Sequence, residues 1–229
     1  VMHLGSAVPI EKPPWRRRRW LILAPHPDDE TLGAGALIAQ VAAAGCFAGL
    51  IFLTDGSGSH GADEVDPARL IATRKREARR ALQRLSSKMS PSPIFLGWKD
   101  AFPEIAGGAA FERSCHRLVA LCARLRVDVL ATTTSNEPHC DHAVANELAN
   151  TVQTISKRPL AIAEYVVWGT APSPSTHLSL ITAPMLPGRR RHALAAHRSQ
   201  LTASLGAGFR LPKDKRSMAD RDLLYVRRR

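Results

Sequence analysis

Two short clusters carry the residue types that do chemistry: His26-Pro27-Asp28-Asp29-Glu30 and His139-Cys140-Asp141-His142. Imidazole and carboxylate are the ligands zinc favours, and a catalytic zinc takes three protein ligands while leaving a position for water. A histidine and an aspartate from the first cluster with a histidine from the second supply that set. On spacing alone His139 and His142 are interchangeable. Pro27 fixes one backbone dihedral, which helps hold His26 and Asp29 in a turn that faces one ion. A carboxylate left beside the ion can take a proton from its bound water, and Asp28 is the candidate.

Each cluster also has a plainer reading. Acidic residues at a strand-to-helix junction can cap the helix and complement its dipole, and a lone histidine pair can sit at a capped helix start. Convergence of both clusters on one rim favours the metal site. Glu30 is read as support for a ligand or for the helix start.

The elements that must bring them together follow from hydrophobic pattern. Apolar runs at 18–24 and 47–53 read as strands buried on both faces, with an alanine-rich helix at 32–44 between them. The alternation continues with a helix at 67–85, a strand at 93–96, a helix at 111–125 and a strand at 127–132. A helix at 142–156, strands at 160–167 and 177–182, and a last helix at 189–204 complete it. The expectation is a single-domain α/β fold, Rossmann-like, with a mostly parallel sheet and helices on both faces. Ligands bind such sheets outside the carboxyl ends of the strands. Both clusters fall there, together with Thr54-Asp55-Gly56 and the loop at 97–100. Beyond Gly208 the pattern assigns no element.

The domain reading is a basic N-terminal arm at 1–17, the α/β domain at 18–212 and a basic C-terminal tail at 213–229. No apolar run approaches the ~20 residues of a membrane span, and no signal peptide is read. The cysteines Cys46, Cys115, Cys122 and Cys140 form no CxxC pair, which points to reduced thiols and a cytoplasmic location. Cys115 and Cys122, seven apart, would share a buried helix face.

At this point the residues carry a family resemblance. Ala24-Pro25-His26-Pro27-Asp28-Asp29-Glu30, Leu53-Thr54-Asp55-Gly56, Arg74-Lys75-Arg76-Glu77 and Leu96-Gly97-Trp98-Lys99-Asp100 follow one another in order. His139-Cys140-Asp141-His142, Glu164-Tyr165 and the run from Ala193 through His197 to Gln200 come after. Together they resemble the PIG-L/LmbE-like zinc-dependent deacetylases, which remove acetyl from N-acetylglucosaminyl and related substrates. The resemblance implies His26, Asp29 and His142 as metal ligands, Asp28 as general base and His139 as the group that stabilises or protonates the tetrahedral intermediate. It implies that Asp141 supports His139, and that Arg74 and Asp100 contact the sugar. It implies Zn2+ as the cofactor, with Fe2+ held by the same ligand set as the alternative, and an N-acylated amino sugar or glycoconjugate as the substrate. Cys140 stands where the family commonly has proline, which puts a thiol beside the site. His60, on a glycine-rich loop, is read either as a substrate contact or as an exposed loop residue.

The net charge of +12 is concentrated at 16–19, 74–80, 189–191 and the last three residues. It suits an anionic substrate, or else a nucleic-acid-binding protein without catalysis. With 5% aromatic residues and no helix-turn-helix or zinc-finger pattern, no specific nucleic acid is expected. A magnesium-holding, receiver-like module is a third class; the histidines argue against it, because magnesium prefers oxygen ligands.

Overall fold

The computed structural model describes residues 7–86 and 90–228; the first six residues of the basic arm and Arg229 lie outside them. The strands are β1 (Val8–Pro9), β2 (Trp20–Ala24), β3 (Phe47–Thr54), β4 (Ile94–Trp98), β5 (Val129–Thr133), β6 (Ala161–Tyr165), β7 (His177–Ile181) and β8 (Leu223–Arg227). The helices are α1 (Asp29–Ala43), α2 (Pro67–Leu85), α3 (Ala109–Leu125), α4 (Cys140–Ile155), α5 (Arg189–Leu194) and α6 (Arg198–Leu201).

The strands form one sheet in the order β1-β7-β8-β6-β5-β2-β3-β4, parallel except where β8 runs antiparallel to β6 and β7. Alternation along the strands splits the core in two. Trp20, Ile22 and Ala24 of β2 join Leu50 and Phe52 of β3 under α1 and α2. Leu21, Leu23, Ile51 and Leu53 face the opposite layer, built on α3 and α4. A central strand therefore reads as continuously apolar because each face meets a helix layer. Cys115 and Cys122 are buried on the shared face of α3.

The chain winds outward from β2 through β3 to β4, then returns to β2's other side as β5. Trp20, Leu21 and Ile22 pair with Val129, Leu130 and Ala131. The crevice at this reversal of strand order is where ligands bind in such sheets. It brings the loop after β2 beside the loop after β5.

The structure differs from expectation at the C-terminus. Residues 223–227, left without an element, form β8 inside the sheet, and the single expected helix at 189–204 is two short ones broken around His197. At the N-terminal side Val8 and Pro9 pair with β7, and Trp15 packs on the core. The C-terminal strand answers a need in α1. Ala34 (φ −132°, ψ 17°) breaks that helix, at Gly33-Ala34-Gly35, where a Cβ on Gly33 would overlap the ring of Tyr165. The groups freed by the break are met from afar: Arg190 Nη1 donates to Leu32 O at 3.1 Å and Asp222 Oδ2 accepts Leu37 N–H at 2.8 Å. Asp222 and Arg190 are themselves a buried ion pair. Among the described residues, no helix is long and apolar enough to cross a membrane.

Candidate active site

The first cluster is a tight turn feeding α1. Asp29 Oδ2 accepts His26 N–H at 2.9 Å, and Asp29 N–H donates to His26 O at 3.2 Å. Between them Asp28 takes φ 142°, ψ −28°, a conformation that suits glycine. Holding a non-glycine residue in such a region costs about 1–3 kcal/mol, so the surroundings must enforce it. The N–H of Asp28 donates to Glu30 Oε2 at 2.9 Å.

The second cluster is shaped by the start of α4. His139 is the N-cap, its Nδ1 accepting Asp141 N–H at 3.2 Å. His142 therefore lies in the first turn, fully buried, while His139 stays half-exposed.

Three donor atoms converge. His26 Nδ1 and His142 Nε2 each lie 3.1 Å from Asp29 Oδ2 and 3.2 Å from one another. A tetrahedral ion bound at ~2.0–2.1 Å has neighbouring ligand atoms ~3.3 Å apart, so the triangle suits one. The outer nitrogens are held by carboxylates: His26 Nε2 by Asp141 Oδ2 at 2.9 Å and Asp100 Oδ1 at 3.2 Å, His142 Nδ1 by Glu137 Oε2 at 3.2 Å. Carboxylates on the outer nitrogens fix the rings with their inner nitrogens turned toward one point, as in metal sites. His26, Asp100, His139 and Asp141 also place donor atoms within 4.8 Å of one another. The residues present fit a divalent ion with nitrogen and oxygen ligands.

The electrostatics agree. Burial alone would lower the pKa of His26, yet Asp100, Asp141 and Asp29 carry it well above 6.5. Burial opposes protonation of His142 too, but Asp29 and Glu137 raise it to about 9. Burial would raise Asp29; His142 and His26 hold it far below the usual carboxylate range. In the metal-free protein positive charge is thus favoured around Asp29, where a cation would sit.

Asp28 differs from its neighbour. Burial raises its pKa to about 7, with Arg74 opposing and Asp29 adding to the rise. Arg74 is buried between two carboxylates, 3.6 Å from Asp28 Oδ1 and 3.6 Å from Asp100 Oδ2. Its Nη1 donates to Gly56 O at 2.9 Å and Nη2 to Pro27 O at 2.8 Å, tying the loops after β2 and β3 together. Asp100 would be raised by burial, but His26 and Arg74 lower it to about 2. The sequence position of Arg74 was informative: it and Glu77 fall on the buried stripe of α2 with Leu70, Ala78, Ala81 and Leu85.

Asp141, expected to support His139, approaches its Nδ1 at 3.9 Å; its short contacts are to His26 and to Ala101 N–H at 2.8 Å. Cys140 is exposed, its Sγ 4.0 Å from His139 Nδ1 and 3.9 Å from Asp141 Oδ1. His60 is neither exposed nor part of the cavity wall: it is buried beside Gly208, where a Cβ would strike its ring.

Sequence reasoning missed Glu137, whose carboxylate also accepts Val167 N–H at 2.7 Å and Trp168 N–H at 2.9 Å. A carboxylate five residues before His142 on a strand-end loop was the available signal. His197, which the sequence pattern gives no role of its own, places its Nε2 3.0 Å from Glu30 Oε1. A cavity of about 420 Å³ opens over the cluster, lined by His26, Asp28, Arg74, Asp100 and His139 on one side and Trp168 and Phe209 on the other.

A buried histidine-carboxylate triangle beside a carboxylate of raised pKa, at the switch point of this sheet, is accompanied by a sequence match. Residues 21–153 match the PIG-L family, described as GlcNAc-PI de-N-acetylase. The chain belongs to the PIG-L family. The PIG-L match ends within α4, so Tyr165, His197 and Asp222 lie beyond the matched residues. No curated protein matches the chain in sequence. Solved structures share its fold. N,N'-diacetylchitobiose deacetylase from Pyrococcus horikoshii, with its inhibitor, is 20% identical at TM-score 0.62, covering 82% of this chain and 72% of that one. The zinc-inhibited form of teicoplanin deacetylase is 15% identical at TM-score 0.63, covering 92% and 98%. A 4-carboxy-2-hydroxymuconate hydratase from Pseudomonas putida is 18% identical at TM-score 0.56, covering 80% of each. The fold of this PIG-L member thus hosts more than one reaction, and its chemistry must be argued from its site.

Proposed function

We propose that this chain is a metal-dependent hydrolase that removes an acetyl or other acyl group from an N-acylated amino sugar or glycoconjugate. The observation that carries the reading is the triangle of His26 Nδ1, Asp29 Oδ2 and His142 Nε2, with Asp28 free of it and facing the same cavity. These three residues would hold Zn2+, with Fe2+ as the alternative. When bound, such an ion polarises the acyl carbonyl and acidifies the attacking water.

The protein's own groups do the rest. Asp28, whose carboxyl burial makes easier to protonate than an ordinary aspartate, takes the proton of the attacking water and returns it to the departing amine, a single residue acting as base and then acid. His139 is a different kind of group. Burial and the charges of His26 and His142 lower its pKa, which favours the neutral ring. Its Nδ1 accepts from the backbone, so the proton sits on Nε2. That N–H is a donor for the developing oxyanion. We assign the Asp141 carboxylate to His26 and its backbone N–H to His139 Nδ1, and Arg74 and Asp100 to the cavity wall against sugar hydroxyls. The charge of +12 favours an anionic glycoconjugate.

The test is release of free amine from a panel of N-acylated sugars, neutral and anionic, with and without chelator. Chelator-sensitive release supports the reading. Absence of release from every substrate in the presence of Zn2+ or Fe2+ refutes it.

A further inference from the structure

We infer that His197 is a positioning residue of this site: acting through Glu30, it holds the backbone of Asp28 in the turn that aims its carboxylate. The inference rests on the reading of Asp28 as the base.

Glu30 is completely buried and shares its two oxygens between two tasks. Oε2 accepts the N–H of Asp28 at 2.9 Å, and Oε1 accepts Thr31 Oγ1 at 2.6 Å and contacts His197 Nε2 at 3.0 Å. A buried carboxylate oxygen needs its hydrogen-bond partners. Oε1 has two side-chain partners, Thr31 Oγ1 from the neighbouring residue and His197 Nε2 from across the fold. Without His197, Glu30 keeps only the local contact, and the orientation that turns Oε2 to Asp28 N–H loosens.

His197 is itself anchored. It sits at the break between α5 and α6, and the next turn is tied to α2, where Glu77 accepts Ser199 N–H at 3.0 Å and Ser199 Oγ at 2.6 Å. Glu77 lies one turn from Arg74, which donates to Pro27 O at 2.8 Å. The peptide unit entering the strained residue is therefore gripped at both ends, by Arg74 at Pro27 O and by Glu30 at Asp28 N–H. His197 does not line the cavity, so it acts on the substrate only through Asp28.

The experiment compares His197→Leu with His197→Gln, whose amide nitrogen can reach the place of Nε2. Hydrogen exchange at the Asp28 amide is followed by NMR in metal-free protein, and kcat, KM and bound zinc are measured in loaded protein. The expected result for His197→Leu is faster Asp28 exchange, a ~10–100-fold fall in kcat with KM within ~3-fold, and zinc retained; the Gln variant restores most of both. If His197→Leu does not fold, His197→Asn, whose amide falls a bond short, replaces it. Unchanged Asp28 exchange overturns the inference, as does equal loss in the Leu and Gln variants. The exchange arm stands even if no deacetylation is found, so failure of the functional reading is seen separately.

Discussion

Glu137 Oε2 lies 3.2 Å from His142 Nδ1, and the same carboxylate accepts the N–H groups of Val167 and Trp168. One residue thus orients the inner nitrogen of His142 and fixes the loop that presents Trp168 to the cavity. Glu137→Gln is expected to keep the fold and weaken zinc binding by ~10–100-fold, since outer-nitrogen partners of metal-ligating histidines have effects of that size. Competition with a chromogenic chelator measures it.

Asp28 and His142 should separate chemistry from metal binding. Asp28→Asn is expected to retain zinc while turnover falls by ~10²–10⁴-fold, the usual contribution of a general base. His142→Ala should instead release the ion. Elemental analysis beside an amine-release assay reads both, and a normally active Asp28→Asn protein would remove Asp28 from the mechanism.

Protonation of the triangle gives opposite pH trends for stability and for metal affinity. The folded pKa of His142 is about 9, above its ordinary 6.5. Its contribution to metal-free stability is full below pH 6.5 and is lost as pH rises through about 9. Zinc must expel those protons, so its affinity rises over the same window. Thermal unfolding of chelator-treated protein and zinc titration, both from pH 6 to 10, check the two slopes.

Turnover carries a separate signature. Burial raises the pKa of Asp28 in the metal-free protein. The residue has to be ionised to act as base, so kcat/KM is expected to climb with pH as that carboxyl ionises, with a midpoint below about 7 because a bound cation favours the carboxylate. A profile already flat from pH 5 would mean that its carboxylate is ionised throughout.

The Arg190–Asp222 pair should be a stability hot spot. Asp222→Ala leaves Arg190 buried and Leu37 N–H without its acceptor. Breaking a buried pair from one side costs about 3–5 kcal/mol. Denaturant unfolding measures it, and loss below 1 kcal/mol would show the break in α1 to be stabilised by other contacts.

Much of this molecule was written in the sequence. The alternation of apolar strands and amphipathic helices specified the parallel α/β sheet, because a strand between two helix layers must be apolar on both faces. The same pattern put both histidine-carboxylate clusters at strand ends. Spacing could not separate His139 from His142. Tertiary structure separated them: α4 begins at Cys140, so His139 caps the helix with its own Nδ1, and the first turn carries His142 inward against Asp29 and Glu137. The C-terminal strand was equally silent. Its short apolar run joins the sheet because β6 and β7 leave a gap for it, and Asp222 meets Leu37 N–H, 185 residues away beside the break in α1. His197 and Glu30, 167 residues apart, meet for the same reason: a buried polar group needs a hydrogen-bond partner, and only the folded chain determines which one reaches it.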